Sequence, residues 1–182
     1  MSESNAISGT PTKPALVVID LQNDYFADGA FPLWQPEAVL ERIEAAIGRA
    51  QAKGVPVILV QHVADPAKGR APFFNAGTPG VDIHPRIRAA APEAPVVVKH
   101  FADCFHQTEL DELLKAQGIN ELWLCGMMIQ NCVTHTALSK AAEQYQVSVL
   151  KDACTTVSDI LLRIALSALT TRVAVVDTAE VV

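Results

Sequence analysis

Aromatic residues make up only 5% of this 182-residue chain, and no stretch of it stays apolar over the roughly 20 residues that a bilayer crossing requires. No positively charged segment leads into an apolar one near the N-terminus, so neither secretion nor membrane insertion is expected, and the expected location is the cytoplasm. Basic runs are missing too. The formal net charge is -6 and the cations are scattered, as at Arg86 and Arg88, so the electrostatic footprint of a nucleic-acid-binding protein is lacking. Small molecules are the expected partners. There are only four cysteines, at 104, 125, 132 and 154, with no Cys-x-x-Cys pair and no zinc-finger spacing. That pattern argues against a dithiol redox motif or a structural zinc site and leaves four free thiols in a reducing compartment.

Half of the residues are hydrophobic and 19% are charged, the balance of a folded domain with a single core. Disorder is expected over 1–12, with one domain over 13–182. Six β-branched runs recur along the chain: "PALVVID" (14–20), "VPVILVQH" (55–62), "PVVVKH" (95–100), "ELWLCG" (121–126), "VSVLKD" (147–152) and "VAVVDT" (173–178). They are continuously apolar rather than alternating, the pattern of strands covered on both faces, and so they predict a parallel sheet. Helical patterns lie between them. Val39, Ile43, Ala46, Ile47 and Ala50 share one helix face that ends at Gly54, and Thr108 and Asp111 form a weak capping box for a helix ending at Gly118. Further helices are expected over 131–145 and 158–171. The alternation predicts a three-layer α/β/α sandwich with right-handed crossovers. Residues 63–94 hold too much Pro and Gly for a long helix, and so long an irregular segment in a small domain is usually functional.

Ligands of open α/β sheets bind beyond the carboxyl ends of the strands. Asp20, Gln61 with His62, Lys99 with His100, the loop ending in Cys132, and Lys151 with Asp152 stand at those ends. Each has a plain structural reading: Asp20 as a turn cap, Lys99 as a solvated strand end, Cys132 as a small buried residue. Together they have a chemical one. A thiol at a helix N-terminus beside a lysine is expected to titrate below its usual 8.5 or so, with Asp20 as general base. Free backbone amides at Cys132 and a few residues earlier would form an oxyanion hole. The first loop, "DLQNDYF", lacks the glycines of a nucleotide-binding G-x-G-x-x-G, which weighs against a non-catalytic nucleotide-binding domain.

"VVIDLQNDYF", "VVVKHFADCFHQTELDELLKAQGINELWLCGMMIQNCVTHTALSKAA" and "VSVLKDACTT" resemble, in order and spacing, the isochorismatase-like cysteine hydrolases, over about 14–178. The resemblance implies a Rossmann-like sheet of strand order 3-2-1-4-5-6, with Asp20, Lys99 and Cys132 as catalytic triad. It also implies a cis peptide between Met127 and Met128, with the amides of Met128 and Cys132 as oxyanion donors. Members that hydrolyse nicotinamide carry a histidine-rich metal motif after the second strand. Here "QHVADPAKG" offers one His and one Asp, so no metal and no cofactor are expected. Members named for isochorismate lack the cysteine, so its presence implies C–N cleavage in an amide, carbamoyl or ureido compound rather than vinyl ether hydrolysis. The family's usual loop threonine is here Ile129, which makes the pocket wall more apolar. Phe26, Trp34, His62, Phe74, Phe105 and Ile129 are the candidate substrate contacts, and a homo-oligomer, dimer or tetramer, is the expected assembly.

Overall fold

Strands buried on both faces have no solvated side to carry polar residues, and the six apolar runs accordingly form one all-parallel sheet in the order β3-β2-β1-β4-β5-β6. The computed structural model describes residues 11–182 and has β1 at Pro14–Ile19, β2 at Val57–His62, β3 at Val96–Lys99, β4 at Glu121–Met127, β5 at Gln146–Thr155 and β6 at Ala174–Val176. Helices α1 (Pro36–Ala52), α2 (Pro85–Ala90), α3 (Leu110–Ala116), α4 (Thr134–Ala137), α5 (Asp159–Leu169) and α6 (Thr178–Val181) complete the chain. Most of the expected tail at 1–12 lies outside the described residues, but the Pro11 carbonyl is tied down by the Asn120 Nδ2 donor at 3.2 Å.

Successive residues of β1 serve opposite faces. Leu16 and Val18 join a core with Leu40, Ile43 and Ile47 of α1, while Ala15, Val17 and Ile19 join a second core with Leu110 and Leu114 of α3 and Leu169 of α5. Two cores on two faces make the three layers. Each fully buried Leu or Ile contributes roughly 1.5–3 kcal/mol, so α1 is held to the sheet mainly by its apolar stripe. Helix α1 opens with Pro36 at its first position, and Gly54 just past its end has φ +70°.

Three local expectations change. The helix foreseen over 131–145 is instead a π-helical turn over Ile129–Val133, the short α4, and a 3-10 turn over Lys140–Gln144. Threonine hydroxyls bonding back to the chain break its regularity: Thr134 Oγ1 donates to Ile129 O at 2.6 Å and Thr136 Oγ1 to Cys132 O at 2.7 Å. Helix α3 starts at Leu110; Thr108 Oγ1 accepts from the Leu110 amide at 3.3 Å, whereas Asp111 is taken by Lys115, Gln144 and Tyr145. Strand β5 runs on to Thr155, so Lys151 and Asp152 are not at its end. They hold the C-terminal segment, Lys151 to Asp177 at 2.9 Å and Asp152 to the Thr178 amide at 2.8 Å. No helix among the described residues is long and apolar enough to cross a membrane.

The sheet reverses its direction of growth between β1 and β4, which pair from Pro14 with Glu121 to Ile19 with Gly126. At that last rung Gly126 has φ +125°, and a Cβ there would stand 2.1 Å from the Ile19 carbonyl oxygen. The two strands can approach only because the position is glycine. Gly126→Ala is therefore expected to cost about 3 kcal/mol, read as a lowered urea midpoint with unchanged slope; stability within about 0.5 kcal/mol of the parent would contradict the close approach.

Candidate active site

Asp20 leaves β1 with φ +55°, a conformation that aspartate tolerates better than most residues, and its amide donates to Val60 O at 3.1 Å. Two residues on, Gln22 is fully buried and its side chain acts as a short strand segment. Its Oε1 accepts from the His62 amide and its Nε2 donates to the His62 carbonyl, both at 2.8 Å, with a further bond to Val81 O at 2.6 Å. This clamp fixes the end of β2, where His62 pairs in register with Lys99 at the end of β3. From β4 the chain passes through a cis Met127–Met128 peptide into the π-helical turn that carries Cys132. The Met128 amide has no backbone hydrogen bond there among the described residues.

The buried Lys99 Nζ gathers these groups. It lies 3.0 Å from His62 Nδ1, 3.1 Å from Phe101 O, 3.2 Å from Cys132 Sγ and 2.8 Å from Asp20 Oδ2. An ammonium has three protons and four neighbours here. Asp20 is the nearest of the four, and its carboxylate compensates the ammonium's charge. Both carboxylate oxygens, sealed from solvent, are left without an aligned donor. A carboxylate in that condition can accept a proton from Sγ, and one oxygen of Asp20, Sγ and a ring nitrogen of His62 all lie within 4.8 Å of one another.

The electrostatics differ from the sequence expectation for the thiol. Burial, then the neighbouring Asp20, push Cys132 well above the ordinary thiol value, against the pull of Lys99. Cys132 is 2% exposed, and the lysine's charge is offset by a carboxylate that lies nearer to it than the sulfur does, at 2.8 Å against 3.2 Å. Both effects favour the neutral thiol over the thiolate. Burial alone would lower Lys99, but Asp20 and Cys132 outweigh it and hold the ammonium above its usual range. Burial first and Lys99 second push His62 down to about 4. Since Lys99 can only donate, the neutral imidazole accepts at Nδ1 and carries its proton on Nε2.

Asp20, His62 and Cys132 together look like three metal ligands. The point on which they converge already holds a cation, because Lys99 Nζ is within 3.2 Å of one atom from each. A divalent ion would have to displace a buried ammonium and lose its compensation, so the donor set does not fit a metal.

The expected substrate contacts divide. Phe74 is buried with φ +61°; its amide donates to Asp24 Oδ2 at 2.6 Å, and its ring lies 5.8 Å from that of His62. Trp34 is half-buried, docked by its backbone on the end of β5, where its amide donates to Thr156 O at 2.8 Å. Ile129 is buried completely and packs in the same core as Cys132. Phe26 lines a neighbouring cleft of about 610 Å³ with Asp28, Arg70 and His84, and this cleft contains none of Asp20, Lys99 or Cys132. Phe105 stacks at 6.0 Å on Tyr145, which precedes β5, and packs in the same core as Cys132. Sequence reasoning passed over Gln22, whose role depends on a partner 40 residues away. It also passed over Tyr25, which looks like one more core aromatic in "NDYF".

Residues 14–181 match the family model of the isochorismatase domain. The chain is 38% identical over 142 residues to the uncharacterised isochorismatase family protein YddQ of Bacillus subtilis, covering 78% of this chain and 77% of that protein. It is 30% identical over 156 residues to the maleamate amidohydrolase of Pseudomonas putida, covering 79% and 73%. The solved structure of an isochorismatase family protein from Desulfovibrio vulgaris superposes with a TM-score of 0.82 at 26% identity, over 93% of this chain and 96% of that one.

The electrostatic arrangement has a signed test in the pH dependence of Cys132 alkylation by iodoacetamide, followed by mass spectrometry. The parent is expected to react with a midpoint above the ordinary thiol value. Asp20→Asn should lower the midpoint and Lys99→Met should raise it; a midpoint indifferent to both substitutions would contradict the coupling.

Proposed function

This chain belongs to the isochorismatase family, and on that premise we propose that it is an amidase-type hydrolase cleaving the C–N bond of a small amide, carbamoyl or ureido compound through a thioester on Cys132. The observation that carries the reading is the position of Lys99 Nζ, within 3.2 Å of both the Asp20 carboxylate and the Cys132 sulfur. Asp20 takes the Sγ proton as sulfur attacks the carbonyl carbon. The amides of Met128 and Cys132 receive the oxyanion, and the unbonded Met128 N–H supports that role. Asp20 then returns its proton to the leaving nitrogen, the C–N bond breaks, and ammonia or an amine departs. Water, deprotonated by the same carboxylate, cleaves the thioester, and the proton goes back to Sγ. His62 and Phe74 border the reacting carbon. Lys99 keeps its charge throughout and compensates whichever of its two acidic neighbours is ionised.

The rival readings leave this arrangement without purpose. A binding domain gains little from a buried Asp–Lys pair, whose desolvation offsets most of its attraction, and vinyl ether hydrolysis needs no thiol. The amide activity named for the Pseudomonas putida relative points the same way. Cys132→Ala is expected to abolish ammonia release from a panel of primary amides and ureido compounds, with the fold retained by circular dichroism, while acid quench of the parent should trap an acyl adduct on Cys132. Full turnover by Cys132→Ala would refute the covalent route.

For the assembly we propose a homodimer through α5. Ile160 and Ile164, one turn apart, are 72% and 60% exposed, with Val157 at 45% beside them. Asp159 and Arg163 flank this stripe and pair at 2.9 Å. A second copy laid antiparallel across α5 would cover the isoleucines and set each Arg163 toward the partner subunit's Asp159, so a homodimer is the assembly that this face fits. Since α5 packs on the turn bearing Cys132, the interface would adjoin the site. Ile164→Glu should give a monomer by light scattering where the parent is a dimer; a monomeric parent would refute the assignment.

A further inference from the structure

Lys99 ends β3 and Cys132 follows β4, strands that two others separate in the sheet, so strand register does not set the distance between them. A side chain outside the reacting groups ties the two segments together. Thr136, completely buried, lies one turn past the nucleophile, and its Oγ1 donates to the Cys132 carbonyl at 2.7 Å. A threonine bonding back four residues is common in helices and by itself positions nothing. The second bond is not local. Oγ1 also accepts from the backbone amide of Cys104, 32 positions away on the segment after β3, at 3.0 Å. That segment carries Phe101, whose carbonyl accepts from Lys99 Nζ at 3.1 Å. Its far end is fixed too: Cys104 O accepts from Thr108 Oγ1 at 2.5 Å, and Thr108 Oγ1 accepts from the Leu110 amide at the start of α3 at 3.3 Å. Hydrogen bonds thus run unbroken from α3 to the carbonyl of the nucleophile. The Cys104 thiol is not a link in this chain, since burial pushes it up to about 12 against the pull of Lys99 and keeps it neutral.

We propose that Thr136 is a positioning residue: its hydroxyl, holding the Cys104 amide and the Cys132 carbonyl at once, sets the distance between Lys99 and the Cys132 sulfur. The side chains close the same circuit from the other end, with Lys99 Nζ on both Phe101 O and Sγ, the latter at 3.2 Å. One hydroxyl is one donor and one acceptor, so threonine or serine fills both roles, and valine of the same shape fills neither. Valine would leave a buried N–H without an acceptor, a cost relieved by letting the two segments part and admit water. Asp20, Lys99, His62, Cys104 and Tyr25 are the titratable groups around the sulfur, and of these Lys99 is the one that draws the thiol down. With the lysine further off, a thiol already held above its ordinary value by burial and Asp20 rises further. The kinetic consequence rests on the amidase reading, but the thiol reports on the strut without any substrate.

The test is the iodoacetamide reaction of Cys132, followed by mass spectrometry at a temperature where each variant is folded by circular dichroism. At a fixed pH below the parent's midpoint, Thr136→Val should react about 3-fold or more slower, because the rate follows the thiolate fraction, and Thr136→Ser should match the parent. Adding Lys99→Met to Thr136→Val should slow the reaction by a smaller factor than Lys99→Met does in the parent, the mark of an effect that runs through the lysine. Tyr145→Phe, which removes a hydrogen bond to Asp111 within the same core, should leave the rate unchanged even where it lowers the thermal midpoint. Should Thr136→Val not fold, Thr108→Val breaks the chain one link further out and is expected to act in the same direction, by less. Parent-like alkylation by Thr136→Val, or by Thr108→Val where it stands in, would overturn the proposal. So would a Thr136→Ser protein as slow as Thr136→Val, an undiminished effect of Lys99→Met, or equal slowing by Tyr145→Phe. Under the amidase reading, Thr136→Val should also lower kcat for ammonia release about 10-fold, with KM within about 2-fold of the parent's. A parent that releases no ammonia from any amide, with the alkylation results upheld, would count against that reading and not against the strut.

Discussion

A fully buried ammonium is tolerated only where acceptors surround it, and much of this site follows from meeting that requirement at Lys99. Four acceptors come from four separate segments: a carboxylate after β1, an imidazole at the end of β2, a carbonyl after β3 and a sulfur after β4. No two of these segments touch in sequence, so the strand order β3-β2-β1-β4 brings them to one edge. Lysine satisfies the centre with a charge that does not dissociate from the protein. The same lysine makes the cluster unsuited to a metal, although three of its neighbours are metal-ligand types.

The requirement also explains why Lys99 does not draw the thiol below its ordinary range. A lysine lowers a neighbouring thiol's titration only when its field is not spent on another anion, and here Asp20 is the nearer of the two. Burial adds to the cost of a second negative charge. The consequence is a thiol pushed toward its neutral form beside a carboxylate that lacks an aligned donor, an arrangement in which passing one proton between the two leaves the total charge of the buried set constant. Charge conservation within a dry site avoids the desolvation cost that a free thiolate would carry.

Holding four segments to this tolerance requires bracing outside the reacting groups. Gln22 serves β2 from the first loop, with both ends of its amide on the backbone of His62. Asp24 serves the irregular segment after β2, accepting from the amides of Phe74 and Ala30, and Gly80 packs so closely on its carboxylate that a Cβ there would lie 1.9 Å away. The loop "DLQNDYF" thus supplies a carboxylate for Lys99, a clamp, a brace and a buried phenol within six residues. Length and irregularity in 63–94 are consistent with that work, since this segment delivers Phe73 and Phe74 against the phenol.

What the sequence determined by itself was the layer architecture, because continuous apolar runs punctuated by amphipathic helices have few other ways to bury themselves. Asp20, Lys99 and Cys132 were legible as candidates for a related reason: polar residues directly after buried strands stand where ligands bind. Tertiary structure decided what proximity alone governs. It set the state of the thiol, which depends on a carboxylate and an ammonium 112 and 33 positions away in the chain. It turned Phe105 toward Tyr145 and Phe74 toward His62, a distinction that residue type cannot carry because both are apolar rings in loops. It also moved Lys151 and Asp152 from a presumed strand end to the anchoring of the C-terminal segment, since the length of a strand is fixed by the partner it pairs with and not by its own residues alone.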